Sequence, residues 1–460
     1  MIPWWVLAIA VFGANFTLWG LIGLLRVLDG WRGAARERMV PRRTKVADLQ
    51  AHREKKAQPG RHRLRRATDL KLTDVAVLIA AHNEELVIAE SLRAITRLVP
   101  LKQVHVVSDG STDRTVELAR RAGVNVISTD DNVGKAGALQ VGIRRFRLVR
   151  RFRLVMLLDA DTRVEPGYFR AALPLFDDPD VVAVAGCVRT EWRDRSLSFA
   201  GRVVAFHRQR IYSMTQYLLK FGQTWRHVNA THIVPGFASV YRTDVLPNIE
   251  VNPPGLVIED FNMTFEVYQK RLGKIGFTPS AVAATQDPGT LRDYVRQSRR
   301  WSLGLWQTVR RHPPRLNLFT AMLTLLLVEL LTSGIMLVLL PLVLLVLLVP
   351  ELVGGVLTVP WFAGTYEAVS GYLTVPALLL GIVLPDLLLT VVVAIIQRQP
   401  RFLLYAWLFL PMRVLDSAIA LAALPLAWWS RSTGRWSSPR RHRVEPPGEQ
   451  PGLGAGAQAG

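Results

Sequence analysis

One cysteine, Cys187, occurs in 460 residues. That excludes an intramolecular disulfide, and with it a disulfide-built secreted scaffold; a lone thiol in an apolar, strand-like run reads as buried and structural, in a reducing cytosol. Acidic residues are scarce as well, with 36 Asp and Glu against 57 Lys and Arg, for a net charge of +21. A nucleic-acid partner is one meaning of such an excess. The charge is clustered, however: Trp31 to Thr73 holds 14 Lys/Arg against 4 Asp/Glu, directly after an apolar segment. Juxtamembrane basic clusters mark the cytoplasmic side and attract anionic headgroups. The rest of the chain shows no basic stripe with interleaved aromatics. The reading is therefore membrane lipid as partner and no nucleic acid. No repeat of 20–50 residues is present, which excludes a solenoid.

Long apolar runs are abundant. Four blocks, 3–25, 318–349, 372–396 and 402–429, are apolar enough to enter a bilayer, at about 20 residues per crossing. The first lacks a basic n-region and a small-residue cleavage site, so it reads as an anchor rather than a signal peptide. With 31–310 in the cytosol, three later crossings would put the basic tail Arg431–Arg443 outside, against positive-inside expectation. Either 402–429, with Pro411, Arg413 and Asp416 inside it, is a re-entrant hairpin, or 318–349 hides a second pass. Glu329, Asp386, Arg413 and Asp416 lie within apolar blocks, where ionisable groups line a polar path or pair between helices.

Between the apolar ends, short buried runs alternate with helical patterns: strands at 75–80, 104–107, 124–127, 154–158, 181–188 and 237–241, and helices at 84–97, 112–122, 195–221, 259–271 and from 132. That alternation predicts βαβ units and a mainly parallel, Rossmann-like sheet. Ligands of open α/β sheets bind at the carboxyl ends of strands, and three motifs fall there: Ala81-His82-Asn83-Glu84-Glu85, Ser108-Asp109-Gly110 and Asp159-Ala160-Asp161. Asp109 suits a nucleobase or ribose, although Ser111, Thr112 and Asp113 fit helix capping equally. Asn83 equally fits a strand terminator. Asp159 and Asp161 suit a hard divalent cation or a solvated turn. Lys135 in Gly134-Lys135-Ala136-Gly137 suits a phosphate or an exposed first turn. Glu259-Asp260 suits a general base or a favourable helix dipole. Gln297, Arg300, Trp301 and Gly304 share one face of a helix, which suits a sugar stacked near a phosphate, or an amphipathic interfacial helix.

Together these residues resemble the processive family 2 glycosyltransferases, the group of cellulose, hyaluronan, chitin and poly-N-acetylglucosamine synthases. The likeness spans about 75–310 and extends loosely into the later apolar blocks. Its most telling stretches are Glu259-Asp260-Phe261-Asn262-Met263-Thr264, Gly273-Lys274-Ile275-Gly276-Phe277 and Gln297 to Trp301. The resemblance implies a GT-A fold and an inverting transferase taking a nucleotide sugar, with UDP as the expected nucleotide. It implies Asp260 as catalytic base. Donor contacts would come from Ala81, Asn83, Glu85, Asp109, Lys135 and Asp159, and Asp161 would hold Mg²⁺ or Mn²⁺. Glu259, Gln297, Arg300 and Trp301 would meet the acceptor and diphosphate. The acceptor would be a glycan or lipid-linked sugar at the plasma membrane, with accessory export proteins as possible partners. Ser298, Ile258 and Ser108 depart from the family pattern, where Gln or Arg, Thr and Asp are usual. The alternatives are a transferase adding one sugar to a lipid carrier, and a transporter or scaffold with an inactive nucleotide-binding domain.

The expected organisation is a transmembrane anchor at 1–30, a basic linker at 31–70, a GT-A domain at 71–290, and an interfacial helix at 291–315. Transmembrane helices at 316–430 and a basic, then disordered, cytosolic tail at 431–460 complete it.

Overall fold

The computed structural model describes residues 2–39, 69–191 and 197–430. The tail at 431–460 and most of the linker at 31–70 lie outside the described residues. Eight strands form one sheet: β1 Val75–Ala81, β2 Val104–Asp109, β3 Asn125–Thr129, β4 Leu154–Asp159, β5 Arg163–Val164, β6 Val181–Thr190, β7 Ala238–Arg242 and β8 Lys274–Thr285. Their spatial order is β3-β2-β1-β4-β7-β6-β8-β5. β3, β2, β1 and β4 run parallel, β7 is antiparallel to β4 and β6, and β6 pairs parallel with β8. The sheet is buried on both faces. Val75, Val77 and Ile79 pack into one core with Ile88, Leu92 and Ile95; Ala76, Leu78 and Ala80 pack into the other with Ala138 and Leu139. A continuous apolar run is what a strand covered on both faces requires.

The helices used below are α1 Trp4–Met39, α2 Ile88–Thr96, α3 Thr115–Arg121, α4 Gly134–Arg145, α5 Phe199–Ser213, α6 Glu259–Gln269, α7 Leu291–Arg311, α8 Leu318–Leu352, α9 Pro360–Ser370, α10 Val375–Gln397 and α11 Pro400–Trp429. Three of them, α8, α10 and α11, are long and apolar enough to cross a membrane; α1, bent by 76° near Gly13, makes a fourth if its two halves are one span.

The structure differs from the sequence reading in four places. The helix of α1 continues to Met39, past the expected anchor boundary at 30. β8 is a full strand where the sequence shows only a motif, because Pro279 and Ser280 interrupt its apolar pattern. They sit at a register shift between Ala185 and Cys187 of β6, a bulge that absorbs the proline. The expected helix at 195–221 is continuous from Phe199 to Gln223 but starts later than expected and turns π-helical over Met214–Lys220. α8 is one continuous helix containing Pro341 and Pro350, so it hides no second pass.

The ionisable groups in the apolar blocks pair across elements. Asp386 of α10 accepts from Arg210 of α5 at 2.7 Å and Arg413 of α11 at 2.9 Å. Glu329 of α8 accepts from the Asn15 backbone N–H at 3.1 Å. Asp416 of α11 lies 2.8 Å from His207 Nε2 and accepts from the Tyr294 hydroxyl.

Candidate active site

The carboxyl ends of β1, β2 and β4 lie side by side in register, with Ala80 opposite Asp159 and Ala81 opposite Ser108. Two loops cross-link there. Asn83, in the left-handed region at φ 53°, accepts from the Thr112 N–H at 2.9 Å, and its own N–H donates to Ser111 Oγ at 3.1 Å. The Glu85 N–H donates to Asp113 at 3.0 Å, and the Glu85 carboxylate pairs with Arg114 at 3.2 Å. Asn83 and Glu85 thus bind the chain's own loop, and the Ala81 methyl is packed inside the core.

Asp109 is fully buried. Its carboxylate accepts from the backbone N–H groups of Val133 and Gly134, both at 2.8 Å, and from the Thr129 hydroxyl at 3.0 Å. The two N–H groups have no intrahelical partner at the start of α4, so Asp109 fixes that helix end. It thereby positions Lys135, the second residue of the helix.

Lys135 is the centre of the cluster. Its Nζ lies 2.8 Å from Asp159 Oδ1 and 3.0 Å from Glu259 Oε1. Asp260, beside Glu259 in the first turn of α6, accepts from the Gly236 N–H at 2.7 Å. A Cβ built on Gly236 would overlap Asp260 Oδ1 and stand 3.1 Å from Lys135 Nζ, so only glycine admits this approach. Burial and the repulsion of Glu259 push the Asp260 carboxyl up to about 8, against the pull of Lys135 and the Gly236 N–H. Burial also raises Asp159, aided by Asp161 and opposed by Lys135. Against the cost of its own burial, Lys135 holds Glu259 below the usual range. Burial disfavours the Lys135 ammonium too, yet the surrounding carboxylates raise it well above its ordinary value.

Three carboxyl groups, Asp159, Glu259 and Asp260, thus act on one ammonium. Glu259 Oε1 faces Lys135 but has no aligned hydrogen bond. Asp161 is 9% exposed, two residues beyond Asp159. Among the described residues no three acidic or imidazole side chains form a closed metal cage. An Asp159/Asp161 pair instead suits a hard cation that takes its remaining ligands from phosphate oxygens. The residues present therefore fit Mg²⁺ or Mn²⁺.

α7, which carries the acceptor-side candidates, packs against the start of α6. The Gly304 backbone lies against Ile258, two residues before Asp260, with 3.0 Å from an added Cβ to the isoleucine. One helical turn earlier, Trp301 is partly exposed, and its ring lies 4.1 Å from the Arg208 guanidinium carbon. Gln297 accepts from Arg208 at 2.7 Å. Arg300 is partly exposed, and among the described residues it forms no ion pair with the chain.

Three participants escape sequence reasoning. Gly236 follows Pro235 just before β7, a turn signal whose contact with Asp260 spans 24 positions. Arg208 sits in the polar run His207-Arg208-Gln209-Arg210, every member of it buried on α5, and nothing in a single sequence separates that run from a solvated face. Asp287, 3.5 Å from Arg208, follows β8, the strand whose period the bulge hides.

The chain is 28% identical over 247 residues to a probable glycosyltransferase of Bacillus subtilis, covering 51% of this chain and 56% of that one. It is 24% identical over 253 residues to a poly-beta-1,6-N-acetyl-D-glucosamine synthase of Staphylococcus epidermidis, covering 51% and 57%. The matches span little more than half the length of these curated relatives. Among solved structures, a mannosyltransferase of Pyrobaculum calidifontis in complex with GDP-Man and Mn²⁺ is 16% identical with a TM-score of 0.45, covering 89% of this chain and 99% of that one. The model for "Glycosyltransferase like family 2" matches residues 73–304, half of the chain. The chain belongs to that family, and its α/β domain has the GT-A fold.

Proposed function

We propose that the protein is an inverting transferase, with its GT-A domain on the cytoplasmic face of the plasma membrane. It moves a sugar from a nucleotide sugar to a hydroxyl of a growing β-linked glycan. The observation that carries this reading is the double ion pair of Lys135. It joins a strand-end carboxylate, Asp159, to the Glu259-Asp260 pair some 100 residues later. That pairing supports a reading in which donor and base share one pocket.

In this reading Asp260 accepts the proton of the attacking hydroxyl. The Gly236 N–H holds its Oδ2 and fixes the orientation of the carboxylate. Attack opposite the leaving group inverts the anomeric carbon, so an α-linked donor gives a β-linked product. Lys135 and Arg300 face the departing diphosphate as cations. Asp161, with Asp159 beside it, would hold a divalent cation, whose contribution is to neutralise the charge building on that diphosphate. Trp301 offers a ring to the acceptor sugar. The synthase relative supports a polymer over a single addition, and product size separates the two.

The test is a screen of radiolabelled nucleotide sugars in vesicles carrying the full chain, reading nucleoside diphosphate release and labelled product. One donor is expected to give both, EDTA to stop both, and Mn²⁺ or Mg²⁺ to restore them. Asp260→Asn is expected to lower transfer by about 10²–10⁴-fold, the range of a missing general base. Wild-type turnover in a folded Asp260→Asn protein would overturn the assignment.

A further inference from the structure

Arg208 lies outside every motif that suggested the function, yet it is only 2% exposed and makes several directed contacts. It projects from α5, not from α7. Its terminal nitrogen donates to Gln297 Oε1 and to the Tyr212 hydroxyl, both at 2.7 Å. Asp287 pairs with its Nε at 3.5 Å. The guanidinium carbon stands 4.1 Å from the centre of the Trp301 ring, 5.0 Å from that of Tyr212 and 5.7 Å from that of Tyr294. A planar cation is thus seated on one face of the indole while its edges are held by an amide, a phenol and a carboxylate.

We propose that Arg208 is a positioning residue for the acceptor: it seals one face of Trp301 and sets the ring plane, leaving the opposite face to stack on the acceptor sugar. This rests on the transferase reading above. A sugar ring stacks through its C–H bonds on a flat aromatic face, and a ring free to rotate about χ1 and χ2 would offer no fixed face. The guanidinium suits this task where an ammonium does not, since it is planar, stacks on aromatic rings and forks its donors. The same group joins Trp301 to Gln297, one turn earlier on α7, so both acceptor-side residues take their orientation from α5.

The experiment uses vesicles of the source organism overproducing the full chain, which bring the native acceptor. It compares sugar incorporated into product with nucleoside diphosphate released. A badly positioned acceptor lets water take its place, so the ratio of transfer to release falls while release itself persists. Arg208→Lys is expected to lower that ratio by about tenfold, the effect of removing one cation–π interaction at a desolvated site. The double variant R208Q/D287N removes both buried charges, and it should lower the ratio equally. If Arg208 serves only to neutralise Asp287, Arg208→Lys and the double variant will both keep the wild-type ratio. That result overturns the proposal, as does a parallel fall of transfer and release. A wild-type protein that releases no diphosphate from any nucleotide sugar would instead overturn the transferase reading itself.

Discussion

At the scale of single residues, the site depends on charge balance more than on any one carboxylate. Lys135 offsets Asp159 and Glu259, and its removal leaves acids facing one another in a half-buried pocket. Lys135→Met is expected to cost about 3–5 kcal/mol of stability, the usual effect of breaking a buried pair; chemical unfolding in detergent would measure it. A cost below about 1 kcal/mol would show that the acids simply take up protons. Gly236→Ala puts a methyl where Asp260 Oδ1 lies. It should lower kcat by about tenfold or more and raise the donor KM as well, because the methyl displaces Asp260 and crowds Lys135 on the donor side. The acids were legible in the sequence because strand ends are where chemistry gathers in such sheets. Their internal partners were not. Asp109 reads as a free acceptor from its motif, yet three donors of the chain already occupy it. Only the three-dimensional path of the loop at 129–134 reveals that.

At the scale of elements, most of the parallel half of the sheet follows from hydrophobic runs of four to seven residues between turn signals. β8 does not, since its bulge hides the period. Likewise, the polar residues of α5 look solvated in sequence and are buried by elements that come roughly 80 to 200 positions later. Three buried or half-buried histidines tie elements together. His105 of β2 packs on Phe146 at 4.6 Å, His232 lies 6.4 Å from Phe319 of α8, and His312 just after α7 bonds Asn262 and Gln269 of α6 at 2.8 and 3.0 Å. Burial pushes each down to about 4, from the ordinary 6.5. A depressed histidine stays neutral in the fold, whereas the unfolded chain takes up protons once the pH drops below about 6.5. Their contribution is therefore complete above that pH and disappears as the pH falls toward about 4. Because the raised Asp260 and Asp159 carboxyls pull the other way over the same window, the histidine share is read by difference: His105→Gln should reduce the loss of thermal midpoint between about pH 6.5 and 4.5, and an unchanged loss would refute the assignment.

At the scale of the whole molecule, the catalytic sheet and the apolar helices are joined through α5 and α7. Arg210 reaches Asp386 of α10, and His207 and Tyr294 both reach Asp416 of α11. The apolar blocks announced themselves in the sequence, and so did the acids inside them. Each of the three acids has a partner on a neighbouring helix. α1 joins the same assembly through its bend. Glu329 of α8 occupies the space over Gly13, which adopts φ 77°, so α1 and α8 fit only with glycine there. Gly13→Ala should separate the two helices, read as a lower thermal midpoint and a lower yield of full-length protein in membranes.

The grip of Asp416 on His207 and Tyr294 has a mechanical consequence. His207 is the sequence neighbour of Arg208, and Tyr294 is one of the rings around it. If Trp301 meets the acceptor as proposed, a tilt of α11 imposed by the thickness of the surrounding lipid would be passed to its indole through these two side chains. Turnover in reconstituted liposomes should then vary with acyl-chain length at fixed headgroup, and Asp416→Asn should flatten that dependence.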